Sequence, residues 1–336
     1  MKSRPTIKDV AARAGVSYQT VSRVINDKAE VSPGTRARVL AVIEELGYRP
    51  SAAARSMVVG HTCTLGCISP NLIDYTFASM IESAQAEARR LGYFLLTGSA
   101  PTQSDVEPLL EELLRRRVDG LLVINPHADD RYHHFLPLIE KGMAVVYLGN
   151  SPGKEPVSSV RGDDYESGYQ ATRYLVDLGH LHIATIAGPD NEECTQDRLR
   201  GYRQALTQAG SDFELVDSGD WSATSGYQAT QRLLASGRPF SAIFAQNDRM
   251  AVGAIRGLRE AGRQSPDDVS IIGIDDIPLA SYFDPPLTTL RQPMEEMGRR
   301  AAQTLIEIIQ NPGRLSEQLS IQARLIERAS CAPRHA

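Results

Sequence analysis

The chain has few of the residues that build metal sites or disulfide frameworks, and it has no long apolar segment. Its 336 residues include four cysteines, whose spacing fits no metal site: Cys63, Cys67, Cys194 and Cys331. No apolar run approaches the roughly 20 residues that a membrane-spanning helix needs. The N-terminus shows no apolar signal segment, so we expect a cytoplasmic protein with reduced thiols rather than a secreted binding protein.

Catalytic signatures are also scarce. The sequence contains neither a Gly-x-x-x-x-Gly-Lys phosphate loop nor a His-Glu-x-x-His metal motif. His180 and His182 flank Leu181 at a predicted helix end, where their spacing does not place both on one helix face. We therefore expect no enzyme, no metal and no cofactor, although an enzyme stays the main alternative because α/β lobes often host catalysis.

Charge is distributed unevenly along the chain. Residues 1–60 contain ten Lys/Arg and five Asp/Glu, which gives this segment a net charge of +5. The whole chain carries −5, so residues 61–336 carry −10. A basic head on an acidic body indicates that only the head contacts nucleic acid.

Residues 6–26 have the pattern of two short helices joined by a tight turn. Thr6 can cap the first helix with Asp9 in its first turn, and Gly15 permits the bend. Ser17 can cap a second helix that runs to about Ile25. Apolar residues recur on one face of each helix: Ile7, Val10, Ala11 and Ala14, then Val21, Val24 and Ile25. This pattern predicts a helix-turn-helix.

The outward face of the second helix carries side chains suited to the DNA major groove. Arg23 can donate two hydrogen bonds to guanine, and Gln19 can read adenine. Tyr18, Thr20 and Ser22 can reach phosphates or base edges. The alternative is a helical hairpin whose polar face is merely solvated.

A third helix and a short linker follow. Ser32-Pro33 predicts a capped helix start, and Gly47 predicts its end. The core face of this helix is expected to contain Val39, Leu40, Val42, Ile43 and Leu46. Residues 51–57 are too few to form a stable helix alone, but could form one against DNA and a second copy of the chain. A flexible linker is the alternative.

The remaining chain alternates apolar runs with amphipathic segments, which is typical of α/β folds with parallel sheets. Predicted strands lie at 65–68, 93–97, 120–124, 144–148, 183–187, 242–245, 269–273 and 319–326. Predicted helices lie at about 77–91, 106–116, 131–141 and 164–178. A loop rich in Pro, Gly and Ser at 150–159 separates two such sets, so we expect two lobes with a cleft between them.

Polar and aromatic residues follow several of these strands and are expected to face the cleft. Asn125, Asn247 and Asp275 come at or just after strand ends, and Trp221 lies beside a helix start. Arg198 is placed in a loop that enters the next helix. An aromatic ring with neighbouring amide, carboxylate and guanidinium groups suits a sugar. The alternative is that Asn247-Asp248 and Asp275-Asp276 are turn or cap residues.

These residues carry a family resemblance. The run 16–24, Val-Ser-Tyr-Gln-Thr-Val-Ser-Arg-Val, resembles the recognition helix of the lac repressor (LacI/GalR) family, and the resemblance continues to about residue 330. Segments 219–223, 247–251, 273–276 and 285–292 are also similar to the family's. The resemblance implies a lambda-repressor-like three-helix head and a two-lobed core like a periplasmic sugar-binding protein.

The resemblance also implies boundaries. The DNA-binding head is expected at 1–50, a hinge helix or linker at 51–61, and an effector-binding and dimerisation core at 62–336. Within the core, we expect lobe 1 at about 62–161 and 292–323 and lobe 2 at about 162–291 and 324–336. The chain would then cross between the lobes near 161, 291 and 323.

Site residues are carried over position by position. In the family the hinge helix lies in the minor groove, where Met57 stands in place of a wedging Leu. The full set expected at DNA is Thr6, Ser17, Tyr18, Gln19, Thr20, Ser22, Arg23, Asn26, Ser51, Ala54 and Met57. The set expected at the effector is Asp74, Phe77, Asn125, Arg198, Trp221, Asn247, Asp275 and Gln292.

The chain departs from the family pattern in two pocket segments and at its end. Residues 70–77, Pro-Asn-Leu-Ile-Asp-Tyr-Thr-Phe, are unusually polar and aromatic, and Gly149-Asn150 stands where an Asp occurs in the family. These departures put galactoside specificity in question and leave a sugar-like effector as the expectation. No leucine heptads follow the last predicted strand, so we expect a dimer rather than a tetramer.

Together these observations predict a homodimeric transcription regulator in the cytoplasm, associated with the nucleoid. We expect a repressor that a sugar-like inducer releases from a palindromic operator on double-stranded DNA. The alternative is a repressor of the same family for which a purine or another non-sugar metabolite acts as corepressor.

Overall fold

The computed structural model describes residues 5–25, 30–48, 61–125, 133–149 and 157–334. The chain divides into two compact units, Met1–Cys63 and Thr64–Ala336, which are described separately. Four residues expected at DNA lie outside the described residues: Asn26, Ser51, Ala54 and Met57. Their assignments stay predictions. No helix in the described part of the chain is long and apolar enough to cross a membrane.

The smaller unit contains three helices, α1 (Ile7–Ala14), α2 (Tyr18–Ile25) and α3 (Pro33–Leu46). The Thr6 and Asp9 side chains form a reciprocal capping box at the start of α1. Gly15 ends α1 in the left-handed conformation, with φ of 65°. The three helices bury one small core: Val10, Ala11, Ala14, Val21, Val24, Val39 and Val42. The predicted helix-turn-helix is confirmed.

One predicted core residue of this unit is misplaced. Leu40 is 50% exposed, whereas Val39 and Val42 are buried and Ile43 and Leu46 pack against the same core. A 14-residue helix that covers only two short helices has a narrow buried stripe. Leu40 lies outside that stripe.

The larger unit contains two six-stranded sheets. The strands are β1 (Thr64–Ser69), β2 (Phe94–Ser99), β3 (Gly120–Asn125), β4 (Ala144–Gly149), β5 (Ser158–Gly162), β6 (Ile183–Ala187), β7 (Leu215–Ser218), β8 (Ala242–Ala245), β9 (Ser270–Asp275), β10 (Thr288–Arg291), β11 (Gln318–Ile321) and β12 (Arg324–Ile326). The helices are α4 (Tyr75–Arg90), α5 (Gln103–Arg115), α6 (Leu136–Glu140), α7 (Asp164–Asp177), α8 (Glu193–Gln208), α9 (Ala223–Ala235), α10 (Asp248–Glu260) and α11 (Met294–Gln310), with a 3₁₀ turn at Pro278–Tyr282.

The strand orders are β11-β5-β4-β3-β1-β2 in the first sheet and β12-β10-β9-β8-β6-β7 in the second. All pairings are parallel except that of β10 with β12. The chain passes from the first sheet to the second between β5 and α7, returns between β10 and α11, and passes again between β11 and β12. The two-lobed α/β architecture expected from the sequence is confirmed.

Helices cover both faces of the second sheet, and each face has its own apolar core. On one face α9 and α10 bury Ala229, Leu233 and Ala254 against the strands. On the other face α7 and α8 bury Leu175 and Tyr202. Parallel strands covered on both faces read as continuous apolar runs, which is why the sequence revealed them.

Some predicted elements differ in extent or number. The predicted strand 319–326 is two strands, β11 and β12, which belong to different sheets and lie on either side of a crossing. The predicted helix at 131–141 is α-helical only at Leu136–Glu140 within the described residues, where a 3₁₀ turn at 133–134 precedes it. Helix α4 begins at Tyr75 rather than Phe77, because Asp74 caps it by accepting a hydrogen bond from the Thr76 backbone.

Candidate functional site

The outward face of α2 presents the polar side chains that the sequence placed there. The Ser17 hydroxyl accepts a hydrogen bond from the Thr20 backbone nitrogen at 3.1 Å, which caps the helix. Tyr18 is 57% exposed, Gln19 is exposed, and Val21 is buried on the opposite face. The helix can therefore enter a groove without disturbing the core of the unit.

Arg23 is exposed on the same face and lies beside the acidic residue Glu30. Its Nε lies 3.4 Å from a Glu30 carboxylate oxygen, and both side chains are more than half exposed. Exposed pairs of this kind are weak, so a base edge can replace Glu30 as the partner of the guanidinium.

A cavity of about 490 Å³ lies between the two lobes, at the carboxyl ends of both sheets. All eight side chains expected at the effector line it: Asp74, Phe77, Asn125, Arg198, Trp221, Asn247, Asp275 and Gln292. Asn125 and Asp275 end strands, and Asp74, Phe77, Arg198 and Asn247 lie in or at the starts of helices that begin at this edge, where ligands bind in open α/β sheets. Their role as effector ligands stays a prediction.

Arg198 lies in the second turn of α8, not in a loop before it. The loop prediction was wrong because α8 begins at Glu193, soon after the Gly188-Pro189 turn. The Arg198 side chain is 9% exposed and donates to Asp164 at 2.8 Å through Nε and to the Gln246 carbonyl at 2.6 Å through Nη1. Helix α7 packs closely against α8 because Gly168 faces the Arg198 backbone, where a Cβ would overlap the carbonyl group.

Trp221 forms part of the cavity wall in a fixed orientation. Its backbone is in the left-handed region, with φ of 70°, and its ring packs on Gly188, where a Cβ would overlap the indole. The indole Nε1 donates to the Glu192 carboxylate at 2.9 Å, and the Arg198 guanidinium carbon lies 5.6 Å from the ring centroid. The ring is therefore presented as a rigid surface.

Asn247 both caps a helix and supports the indole segment. Its Oδ1 accepts from the Met250 backbone at 2.8 Å, and its Nδ2 donates to the Trp221 carbonyl at 3.1 Å. The alternative interpretation of Asn247 as a cap residue is thus correct for its oxygen. A cap role and a place in the cavity wall coexist in one side chain.

Asp275 ends β9 with φ of 122° and is 93% buried. Among the described residues no hydrogen bond reaches its carboxylate. Burial and the neighbouring Asp248 carboxylate raise the pKa of Asp275, while Arg198 opposes the shift. Burial likewise raises the pKa of Asp248, whose oxygens accept from Thr289 Oγ1 at 2.6 Å and the Ile277 nitrogen at 2.9 Å.

Gln292 lies at the second crossing between the lobes and is 95% buried. The residue lines the cavity, but its Oε1 is a buried atom that faces Gly162 and has no hydrogen-bond partner in the described part of the chain. Asp275 is therefore the side chain that leaves hydrogen-bonding capacity unused at the cavity wall.

Sequence reasoning missed several charged residues of the cavity: Asp164, Glu192, Asp220 and Arg249. Arg249 directly follows Asn247-Asp248, and Asp220 directly precedes Trp221, so their positions beside recognised segments were a usable signal. Glu192 and Asp164 carried no such signal, because each is defined by a partner distant in sequence, Trp221 and Arg198 respectively.

One catalytic sequence motif is present, but the described elements on either side of it do not fit the structure that the motif requires. Residues 149–153, Gly-Asn-Ser-Pro-Gly, fit Gly-x-Ser-x-Gly. A nucleophile elbow joins a strand to a helix. Here the segment follows β4, and the next described element is strand β5. The described residues also contain no group of three His, Cys, Asp or Glu side chains that could hold a metal ion.

Comparison with known proteins agrees with both units. Residues 6–51 match the family of bacterial regulatory proteins called the lacI family, and residues 172–331 match the periplasmic binding protein-like domain. The HTH-type transcriptional regulator CelR of Thermobifida fusca is 37% identical over 98% of this chain and 99% of its own length. The chain belongs to the LacI family.

Other LacI-family proteins extend the match. The HTH-type transcriptional repressor PurR of Erwinia tasmaniensis is 38% identical, over 97% of each chain. A structure of CelR in complex with cellobiose has a TM-score of 0.75, 36% identity and coverage of 97% and 100% of the two chains. A lac repressor dimer bound to operator and the anti-inducer ONPF has a TM-score of 0.89, 30% identity and coverage of 98% and 100%. This LacI-family chain is thus a DNA-binding transcription regulator.

Proposed function

We propose that the chain is a homodimeric repressor that a sugar-like inducer releases from a palindromic operator. The observation that carries the sugar assignment is the Trp221 face, which is held rigid beside Arg198, Asn247 and Asp275 in one cavity. The C–H face of a sugar packs on such a ring, while its hydroxyls both donate and accept hydrogen bonds. Asp275 lines the cavity and offers acceptors that no described residue uses.

The volume of the cavity and the ligand of one relative both support a small carbohydrate as the effector. About 490 Å³ falls within the usual range of small-molecule sites, roughly 300–1,000 Å³. CelR has been solved with cellobiose. PurR is equally similar in sequence and is a transcriptional repressor. The second candidate is therefore a corepressor that strengthens operator binding, such as a purine or another non-sugar metabolite.

Release follows from coupling between the two sites. A ligand that stabilises one arrangement of the lobes, in which the heads fit the operator less well, weakens operator binding by its differential affinity for the two states. The operator weakens effector binding by the same factor. A corepressor would stabilise the operator-binding arrangement instead.

Dimerisation supplies the second head that a palindromic operator requires. Two large side chains of the 3₁₀ turn are exposed, Leu279 by 63% and Tyr282 by 83%. The lac repressor structure that this chain resembles is a dimer. We further propose that the chain catalyses no reaction, needs no cofactor and acts in the cytoplasm, where its operator DNA lies.

A thermal-shift screen of the full chain tests the effector class. The panel contains monosaccharides, disaccharides, nucleobases and sugar phosphates, and the Asp275→Ala variant is screened in parallel. We expect a carbohydrate to raise the melting temperature of the parent chain and to have little effect on the variant. Stabilisation by purines alone would contradict the sugar assignment and favour the corepressor.

A further inference from the structure

Each cation among the described residues of the cavity already has a carboxylate partner. The only cationic side chains among these lining residues are Arg198 and Arg249. Arg198 is paired with Asp164 at 2.7 Å through Nη2, and Arg249 is paired with Asp74. A ligand anion that binds either arginine would therefore have to displace one of the chain's own carboxylates.

Acidic side chains also occupy amides at three of the helix starts beside the cavity. A helix start carries a partial positive charge and can bind a phosphate when its amides are free. Asp74 accepts from the Thr76 amide of α4, Asp163 from the Glu166 amide of α7, and Asp220 from the Ser222 amide just before α9. At α10 the cap is the neutral Asn247 side chain, and α8 has no side-chain cap. The amides that would receive an oxyanion are partly taken, for instance that of Glu166 by the Asp163 carboxylate at 3.0 Å.

One carboxylate of the cavity is unused. Asp275 is 93% buried, lines the cavity and receives no hydrogen bond from any described residue. Asp248 lies behind it, and Asp74 is a further negative group nearby. Protonation of Asp275 would remove its charge but would not create a binding site for an anion.

Resting on the proposed sugar function, we propose that the effector carries no anionic group. The cavity accepts an uncharged carbohydrate or one bearing an amine, and it rejects phosphorylated and carboxylated sugars. A phosphate brings about two negative charges into a site whose described guanidinium groups already have carboxylate partners. An amine would find the spare acceptor of Asp275.

The test compares each sugar with a negatively and a positively charged derivative built on the same carbohydrate. Glucose, galactose, mannose and cellobiose are each titrated into the full chain by calorimetry, together with their 6-phosphates and 2-amino analogues. For the best neutral sugar, we expect its phosphate to bind at least tenfold more weakly and its amine to bind within threefold or more tightly. A phosphate that binds as tightly as its neutral parent overturns the charge proposal and leaves the sugar function standing.

A variant that should gain affinity for the phosphorylated sugar gives a result that misfolding cannot imitate. Asp164→Asn removes the charge that neutralises Arg198, so the phosphorylated analogue should gain at least fivefold in affinity relative to the neutral sugar. The matched control is Asp177→Asn at the other end of α7, where Asp177 pairs with Arg173 on the surface. An unchanged ratio in a folded Asp164→Asn protein contradicts the proposal. Binding of purines with no sugar of any charge contradicts both this inference and the sugar function.

Discussion

Arg249 donates a hydrogen bond to Asp74 across the cleft, which joins the first turn of α10 in one lobe to the cap of α4 in the other. Asp74 is fixed on its own lobe by Thr76, whose backbone and hydroxyl donate to Oδ1 at 3.0 and 2.6 Å. The side chains are 41% and 15% exposed. The described lobes are thus tied at the cavity by a partly exposed ion pair, which an opening of the cleft would break.

Loss of this ion pair should reduce the affinity for the effector more than it reduces the free energy of unfolding. In a double-mutant cycle with Asp74→Asn and Arg249→Gln, we expect a coupling of about 0.2–1 kcal/mol, as for other partly exposed pairs. Because the pair favours closure, the dissociation constant of the best sugar should rise about two- to fivefold in each single variant. Calorimetric titration measures this change.

The matched control is an ion pair of similar exposure within one lobe. Arg232 binds Asp217 at 2.6 Å, with side chains 53% and 18% exposed. Asp217→Asn should lower the free energy of unfolding by a comparable amount and leave sugar affinity unchanged. Equal effects of the two pairs on sugar affinity would show that Asp74 and Arg249 do not control closure.

Arg23 should read a base. Arg23→Ala is expected to cost about 1–3 kcal/mol on the specific operator and to relax preference at one base position. Binding to random duplex should change far less. Anisotropy titrations on both duplexes separate these outcomes, and equal losses on both would mean that Arg23 contacts only phosphate.

Asp248 should make stability depend on pH. Burial raises its pKa to about 7 and also raises the pKa of the neighbouring Asp275, so protonated carboxyl groups are favoured in the folded chain. The contribution of this pair to stability is therefore complete below about pH 4, near the unfolded pKa, and is lost as the pH rises through 7. Asp248→Asn removes one of the two groups and should make this part of the profile shallower.

Denaturant unfolding between pH 4 and 8 measures the effect. The control is Asp284→Asn, because the Asp284 side chain is 98% exposed. Asp284→Asn should show the same dependence of the unfolding free energy on pH as the parent chain. Parallel profiles for the parent and Asp248→Asn would contradict the assignment of this pH dependence to Asp248.

Glu192 should control sugar binding through Trp221, the only tryptophan of the chain. Glu192→Leu removes the acceptor of the indole N–H, and we expect sugar affinity to fall roughly tenfold or more. Glu192→Gln keeps an acceptor and should restore most of the affinity. The change in Trp221 fluorescence during titration with sugar is the readout, and equal affinities in both variants would contradict an orienting role.

The sequence predicted those features that depend on neighbours along the chain. The capping box of Thr6 and Asp9 spans three residues, and Asn125 and Asp275 were located by the strands that they end. Glu192 was missed because its partner Trp221 is 29 residues away. Local pattern could not show that an acidic residue near a helix start also faces a cavity.

Two other errors have the same origin. Leu40 fits a helical apolar repeat, but how wide a stripe is buried depends on the size of the helices that cover it. The segment 319–326 reads as one strand because its two halves have similar composition. Only the pairing of β11 with β5 and of β12 with β10 shows that a crossing interrupts it.

Operator release measures the central claim most directly. The full chain is used to select its own operator from random duplexes, and anisotropy of that labelled operator is followed while the best neutral sugar of the panel is added. We predict a near-palindromic site and a fall in operator affinity that saturates with the sugar and is absent in Asp275→Ala. Tighter operator binding on adding a purine base, with no response to any sugar, would contradict the account.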